Sequence, residues 1–219
     1  MNDEPPPPDD KPASDGLRRA GAGSRIALLA LSGTAHSGSR NALLLNLAID
    51  AAIAIEADVS VLDLRDLDLP VYVPGLEGAV VPQGVLVIRQ ILCAHDGLLI
   101  CSPGYNGSVS VLLKNALDWG SQPTFGTSGL TPFRAKIAAI MSVSEDVASG
   151  ATARQHLRAI LEHMGVAVMP DDLAFGDEAF GNHTLRDASV VPRVQRHVRL
   201  LIDALRAQQH GSVPRRPDR

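Results

Sequence analysis

Short runs of leucine and β-branched residues alternate along this chain with longer stretches in which apolar residues recur at helical spacing. This alternation is typical of strand–helix units built around a parallel sheet, because each crossover between parallel strands is long enough to hold a helix. Strands are predicted near residues 25–32, 58–64, 97–102, 136–142 and 166–169. Helices are predicted near residues 39–56, 82–95, 109–120, 150–164 and 185–207.

Strand–helix units in this order predict an α/β fold of three layers that is doubly wound, with helices on both faces of the sheet. In such folds, ligands bind beyond the carboxyl ends of the strands, at the point where the strand order reverses. The loops after the first, third and fourth strands are therefore the predicted places for a site.

Length and composition limit the domain organisation. The chain has 219 residues, enough for one domain with a filled core and too few for two comfortable ones. Residues 1–24 hold five of the 15 prolines together with mixed charges, and too little apolar surface to offset the entropy of ordering. They and residues 209–219 are predicted to be disordered tails of a single domain over residues 25–208.

Charge and cysteine content disfavour several classes of function. The net charge of −4 gives no reason to expect a nucleic-acid or membrane partner. There are only two cysteines, and the first residues lack the basic and apolar regions of a secretory signal, so a cytoplasmic protein is predicted. The apolar stretch at residues 42–55 is broken by Asn46 and Asp50, too soon to span a bilayer. It predicts a helix buried on more than one side, beneath the sheet or in a subunit contact.

The loop after the first strand reads GTAHSGSRN and leads directly into the first helix. Hydroxyl and amide donors at the amino end of a helix favour an anion. The candidate groups are those of Thr34, Ser37, Ser39 and Asn41, with His36 or Arg40 to supply charge. The loop is not a nucleotide P-loop, because no lysine follows its second glycine. One terminal phosphate is the predicted ligand, and a turn that merely caps the helix is the alternative.

The loop after the third strand lies within CSPGYNGSVSVLLKNALDWG, residues 101–120. Its proline, glycine and asparagine residues force a sharp turn that presents backbone amides and carbonyls in a fixed pattern, with Tyr105 as the one aromatic residue. Such an edge suits a flat heterocycle. A plain strand-to-helix turn, the alternative, explains the apolar spacing of the helix but not the polar cluster. A phosphatase loop is excluded because Gly107 stands where Cys-x5-Arg needs arginine.

Together the two loops resemble those of the NADPH-dependent FMN reductase family, which includes quinone, azo-dye and chromate reductases. Its members typically read G-S-L-R-x-G-S-x-N after the first strand, and T-P-E-Y-N-G-S with a later L-K-N-A-[IL]-D-W after the third. A third stretch, SVSEDVASGATARQHLRAIL, is similar to the family's segment after the fourth strand. The resemblance covers roughly residues 25–170. It implies a flavodoxin-like fold with a five-stranded parallel sheet in the order 2-1-3-4-5.

The resemblance also implies which residues bind FMN, in three groups that serve its phosphate, its isoalloxazine ring with the ribityl chain, and its pyrimidine side. Thr34, Ser39 and Asn41 are the residues for the phosphate. Pro103, Tyr105 and Asn106 are those for the ring and the ribityl chain, and the backbone around Val143 and Ser144 serves the pyrimidine side. Hydride transfer between nicotinamide and flavin needs the alignment of two rings and no protein acid or base. No catalytic side chain and no metal site is therefore predicted.

Two positions depart from the family pattern. His36 occupies the usual arginine position, so neutralisation of the phosphate is expected to depend on pH, with Arg40 able to compensate. Gly104 replaces the usual glutamate, which in this family lies near the flavin and the subunit contact, so the oligomer interface is expected to differ. The segment PVYVPGLEG is similar to the family's loop that reaches toward flavin, which makes Tyr72 a further candidate contact.

The predicted function is an FMN-dependent NAD(P)H oxidoreductase that passes electrons to a small acceptor such as a quinone, free flavin, an azo compound or a metal oxyanion. A homodimer or homotetramer is expected. One alternative is a flavodoxin-type electron carrier, but carriers are usually strongly acidic and rich in aromatic residues. This chain has a net charge of −4 with one Trp, two Tyr and four Phe residues. A non-catalytic binding module on the same fold is the third possibility.

Other polar residues are interpreted structurally. His156, His163 and His197 fall in predicted helices, where a single histidine is usually a packing or surface residue. The acidic residues between positions 171 and 178 lack the alternating ligand spacing of a calcium loop and are interpreted as a solvated loop.

Overall fold

The structure is a computed structural model that describes residues 25–36, 38–74, 81–124, 126–145, 147–148, 150–181 and 184–211. The predicted amino-terminal tail and Ser37 lie outside these ranges, as do residues 75–80, which include the last four residues of the segment that contains Tyr72. Residues 212–219 of the predicted carboxyl-terminal tail lie outside them too, whereas Gln209 still belongs to the last helix.

Eight strands and five α-helices make up the fold over the described residues. The strands are β1 Ala27–Ser32, β2 Asp58–Leu62, β3 Gly97–Cys101, β4 Gly104–Tyr105, β5 Ser108–Val109, β6 Ile137–Ser144, β7 Ala167–Val168 and β8 Leu173–Gly176. The helices are α1 Arg40–Ile53, α2 Gln83–Ala94, α3 Val111–Gly120, α4 Ala151–His163 and α5 Val190–Gln209. Each predicted helix and strand is present, with its ends shifted by a few residues.

The main sheet is parallel and has the order β2-β1-β3-β6, with β7 and β8 both beside β6. β7 pairs with the first residues of β6, and β8 pairs with its last four, from Met141 to Ser144. The predicted doubly wound fold with order 2-1-3-4-5 is confirmed, because β7 and β8 share the fifth position. The sequence did not reveal β8, since its short apolar run is enclosed by aspartates that are typical of a loop.

Two apolar layers cover the sheet. α1 and α5 pack on one face, and α2, α3 and α4 pack on the other. Every residue of β3 is buried, as expected for a central parallel strand with helices on both sides. The prediction that the first helix is buried is confirmed: Leu44, Ala48 and Ala52 of α1 are fully buried against the sheet and α5.

Serine side chains mark where two helices near the carboxyl edge begin. The Ser39 hydroxyl accepts a hydrogen bond from the Ala42 N–H and starts α1, and the Ser110 hydroxyl accepts one from the Leu113 N–H and starts α3. Both bonds satisfy one of the unpaired N–H groups of a helix amino end. Along the described part of the chain, no helix has the length and apolarity needed to cross a membrane.

Candidate functional site

Three loops meet at the carboxyl edge of the sheet, where β1, β3 and β6 end side by side. The Gly33 N–H donates to the Cys101 carbonyl at 2.9 Å, and the Ser102 N–H donates to the Met141 carbonyl at 3.1 Å. A Cβ at Gly33 would lie 2.1 Å from the Ser102 hydroxyl oxygen, so only glycine allows these two loops to approach so closely. The three predicted loops therefore form one rim.

The loop after β1 is ordered by its own side chains. The Thr34 hydroxyl accepts from the His36 N–H at 3.1 Å, and the Ser39 hydroxyl accepts from the Ala42 N–H at 3.1 Å. A hydroxyl that accepts one hydrogen bond keeps its own proton to donate. Thr34 and Ser39 can therefore bind a phosphate oxygen without giving up the bonds that shape the loop.

The amino end of α1 adds backbone donors to this loop. The first N–H groups of a helix have no intrahelical partner and carry the positive end of the helix dipole. The first turn of α1 contains no acidic residue that would compete with an anion. A helix start with a serine hydroxyl beside it can bind an anion without any charged side chain of its own.

The two basic candidates are engaged elsewhere. The Arg40 guanidinium donates to the Asp177 carboxylate at 2.9 Å, and the two side chains are 41% and 38% exposed. A pair this exposed contributes about 1 kcal/mol or less, so exchanging its carboxylate for a phosphate costs little. The His36 side chain is exposed, and its Nδ1 accepts from the Gly38 N–H at 3.3 Å.

The Asn41 side chain points into the protein and bonds to β6, whereas those of the other residues predicted to bind the phosphate bond to backbone close in the chain. It is buried, and its Nδ2 donates to the Val143 carbonyl while its Oδ1 accepts from the Val143 N–H, both at 2.9 Å. The Cys101 thiol also donates to Oδ1, at 3.4 Å. Burial raises the pKa of that thiol far above its usual range, so it serves as a weak donor and not as a nucleophile.

The loop after β3 is an antiparallel hairpin of β4 and β5. Asn106 and Gly107 at its tip have φ angles of 51° and 76°, the left-handed pair of a two-residue type I′ turn. The sequence predicted the sharp turn but not the two strands, although Asn-Gly is the strongest short signal for a hairpin. The hairpin presents Tyr105, which is 51% exposed, at the rim.

Gly104 packs closely against α4. A Cβ at this position would lie 2.8 Å from the Cβ of Ala153, closer than real Cβ atoms approach each other. The glutamate that the family pattern has here would therefore require the hairpin to move away from α4. The departure at Gly104 has a packing cause in this chain.

The loop after β6 completes the rim. The Ser144 hydroxyl is buried and has no hydrogen-bond partner among the residues that the structure describes. Below it, the buried Arg154 of α4 donates to the Ser142 hydroxyl at 2.9 Å and to the Val147 carbonyl at 3.1 Å. Burial lowers the pKa of Arg154 from its ordinary value, with the charge of Asp172 acting in the opposite direction. Nothing in the sequence distinguished this arginine from the surface arginines of the same helix.

Tyr72 packs against α3. Its ring packs edge-on against Trp119 with centroids 5.2 Å apart, and its hydroxyl accepts from Gln122 Nε2 at 2.6 Å. It borders a groove between α3 and α4, together with Ser108 of the hairpin. Within the chain, Tyr72 is thus joined to α3, and its predicted flavin contact stays a prediction.

Known proteins match this chain over the part that forms the sheet and its three loops. The family model for NADPH-dependent FMN reductases matches residues 26–180. An NAD(P)H-dependent FMN reductase from Pseudomonas aeruginosa is 34% identical over 142 residues, which cover 64% of this chain and 72% of the relative. An NADPH:quinone oxidoreductase from Arabidopsis thaliana is 37% identical over 142 residues, covering 62% of this chain and 66% of the relative.

A solved structure agrees with these matches. The flavoenzyme NAD(P)H:acceptor oxidoreductase from Paracoccus denitrificans aligns with a TM-score of 0.69 and 25% identity, covering 83% of this chain and 97% of the other. The chain belongs to the NADPH-dependent FMN reductase family. It is an NAD(P)H-dependent oxidoreductase with FMN as its cofactor.

The residues at the rim are compatible with FMN. The Ser144 hydroxyl, which has no partner among the described residues, and the N–H groups at the start of α1 that Ser39 does not cap are polar groups that a flavin nucleotide can satisfy. Glycine at position 33 lets Ser102 approach the loop after β1, which keeps the two loops of the rim together. These donors carry no net charge and point in fixed directions, which suits a planar ring whose edge makes hydrogen bonds.

Proposed function

We propose that this protein takes hydride from NADPH or NADH onto bound FMN and passes the electrons to a small quinone. The observation that carries the proposal is the meeting of the Ser39-capped start of α1 and the Gly104–Val109 hairpin at neighbouring strand ends. The first is suited to a phosphate and the second to a flat ring. A quinone is proposed as acceptor because the Arabidopsis relative is named for that activity.

In this proposal each loop has one task. The Thr34 and Ser39 hydroxyls and the first N–H groups of α1 bind the phosphate, with Arg40 leaving Asp177 to join them and His36 at the rim. Pro103, Gly104, Tyr105 and Asn106 support the ring and ribityl chain. The loop after β6, through the backbone of Val143 and the Ser144 hydroxyl, serves the pyrimidine edge.

Bound FMN supplies the hydride chemistry, and the chain supplies position. The hairpin is held rigid by its type I′ turn and by contact of Gly104 with α4, so the ring has a fixed support. Alignment of two rings contributes to the rate by orientation alone. The proposal therefore assigns binding and orienting roles to these residues and no proton transfer.

The experiment is an anaerobic titration of the purified holoprotein. We expect a yellow protein whose visible flavin absorption is bleached by NADPH or NADH and restored by 1,4-benzoquinone. A yellow protein that neither nucleotide bleaches would support the flavodoxin-type carrier. A colourless protein that does not bind added FMN would contradict both the reductase and the carrier. A non-catalytic binding module would then be the remaining interpretation.

We also propose that two copies associate through the groove between α3 and α4. The groove encloses about 550 Å³ and lies beside Val71 and Val111, which are 79% and 76% exposed. α1 gives no such surface, because its apolar face is covered by the sheet and α5. Exposed apolar residues around a groove mark an interaction surface.

Light scattering at micromolar concentration tests this association. We expect a mass of twice the 23.1 kDa chain, and a single-chain mass for Val111→Asp. Val61→Asp is the matched control, since Val61 is an exposed valine, at 63%, on the edge strand β2. A single-chain mass for the unchanged protein contradicts the dimer, and a dimeric Val111→Asp contradicts the proposed surface. The cytoplasmic location stays a prediction.

A further inference from the structure

The strands β3 and β6 separate at the carboxyl edge of the sheet. Their paired register ends at Cys101 and Met141, whereas β6 continues to Ser144 beside β8. The N–H and C=O groups of Val143 are therefore left without a strand on the β3 side. Buried backbone groups of this kind need partners, because each unpaired one costs free energy.

The Asn41 side chain takes the place of the missing strand. Its carboxamide donates to the Val143 carbonyl and accepts from the Val143 N–H, both at 2.9 Å, so it satisfies both backbone groups of this residue. It also accepts from the Cys101 thiol, at the last residue of β3. A single side chain from the first turn of α1 thus joins the ends of β3 and β6 where they separate.

The opposite face of β6 is held by Arg154. This residue of α4 binds the Ser142 hydroxyl and the Val147 carbonyl, one residue before Val143 and four after it. The end of β6 is thus fixed from α1 on one face and from α4 on the other. The loop that begins at Ser144 has its starting direction set by these two contacts.

We propose that Asn41 is a positioning residue, which keeps the β6 end and its loop in register with the phosphate loop, and that it is not a phosphate ligand. Asn41 is 5% exposed, and its carboxamide is committed to Val143 on both its donor and its acceptor side. It acts on the flavin ring through the loop after β6. This inference rests on the proposed FMN site, and it replaces the phosphate role that the sequence pattern implied for this residue.

The test measures FMN and riboflavin affinity of the apoprotein for Asn41→Ala and Asn41→Ser. Riboflavin has the ring without the phosphate, so a positioning role predicts an equal loss for both, at least tenfold, with the affinity ratio unchanged within twofold. Serine is too short to bridge both groups of Val143 and should not rescue. A tenfold loss for FMN alone, or rescue of FMN binding by serine, overturns the proposal.

Further measurements separate positioning from simple stability. At saturating FMN and well below the unfolding temperature, we expect Asn41→Ala to change the visible circular dichroism of the bound ring and to lower the rate of its bleaching by NADPH. A residue that only added stability would leave both unchanged. Gln208→Ala is the control, because this carboxamide also donates to a backbone carbonyl, that of Ala135, at the opposite edge of the sheet.

The two cysteines provide a local probe. Cys93 is exposed and Cys101 is buried, so a thiol reagent should modify the first quickly and the second slowly. In Asn41→Ala, modification of Cys101 should accelerate by at least tenfold while that of Cys93 is unchanged. An unchanged Cys101 rate together with unchanged flavin binding overturns the inference, whereas a failure of the unchanged protein to bind FMN or riboflavin overturns the proposed function.

Discussion

The two edges of the sheet are held together by different chemistry. At the amino edge, the buried Arg89 of α2 makes five hydrogen bonds to the segment between α3 and β6. Its acceptors are the carbonyls of Gly120, Gln122, Ser128 and Gly129 and the hydroxyl of Thr127. Lys136 at the same edge donates to the His95 carbonyl. Both cations donate to backbone carbonyls, and Arg89 also donates to one hydroxyl.

The carboxyl edge leaves binding capacity unused. The first N–H groups of α1 have no intrahelical partner, and the buried Ser144 hydroxyl has no hydrogen-bond partner within the described part of the chain. Its fixing contacts come largely from the neutral side chains of Thr34, Ser39 and Asn41. The comparison teaches that the amino edge is closed by cations on backbone carbonyls, whereas the carboxyl edge, with the buried cation of Arg154 below it, also keeps spare neutral donors for a ligand.

Removal of the Arg89 side chain tests whether the amino edge serves stability alone. Arg89→Met leaves several buried carbonyls unpaired, so we expect the free energy of unfolding to fall by about 3 kcal/mol. The FMN dissociation constant should stay within twofold. Urea unfolding of the apoprotein and fluorescence titration with FMN provide the two numbers. Lost FMN affinity with unchanged stability would contradict the separation of the two edges.

Adding a side-chain atom at Gly104, where the hairpin packs against α4, is expected to have the next largest effect. Gly104→Ala places a Cβ 2.8 Å from that of Ala153, which should cost about 2 kcal/mol of stability through overpacking. Ala153→Gly removes the opposing atom, so the double variant should recover much of this loss. A double-mutant cycle by urea unfolding measures the coupling. Additive losses would show that the hairpin adjusts without contact with α4.

Two serine caps allow the anion site to be compared with an ordinary helix start. Ser39→Ala and Ser110→Ala should each lower stability by about 1 kcal/mol, because each removes one capping bond. Only Ser39→Ala should also weaken FMN, by roughly 1.5 kcal/mol or tenfold, since a donor to a charged group is lost. Riboflavin affinity should not change. Equal FMN affinity in the two variants would argue against a phosphate at α1.

The smallest effect is expected from His197, which lies on α5 between the two edges. Burial lowers its pKa below the ordinary 6.5, with the carboxylates of Asp172 and Asp171 acting against this. The unfolded chain then binds a proton that the folded one does not, so stability is full above pH 6.5 and falls as the pH drops below it. The slope is at most about 1.4 kcal/mol per pH unit.

Urea unfolding between pH 5 and 7.5 measures this slope for His197. In His197→Leu the slope should be smaller, because the group that binds the proton is gone. FMN affinity at a fixed pH should be the same in both proteins. An equal slope in the two proteins would show that other groups cause the acid sensitivity.

The order of elements and the loops of the site were predictable from residue patterns. Apolar runs such as Leu28 to Leu31, followed by glycine and serine, give strand and loop without reference to any distant residue. The Asn106–Gly107 pair specifies a hairpin turn, because both residues accept positive φ angles. The split of the fifth strand position into β7 and β8 was not predictable, since four residues carry too little periodicity.

Local sequence determined which residues stand at the rim: the Ser39 cap, the glycines and the hairpin depend on neighbours within a few positions. Tertiary structure decided what their side chains contact. Asn41 meets Val143 across 102 residues, Arg40 meets Asp177 across 137, and Gly104 meets Ala153 of α4. Such partners come together only through the packing of the sheet and its helices. A motif can therefore give a residue's place in the chain, while the fold gives its role.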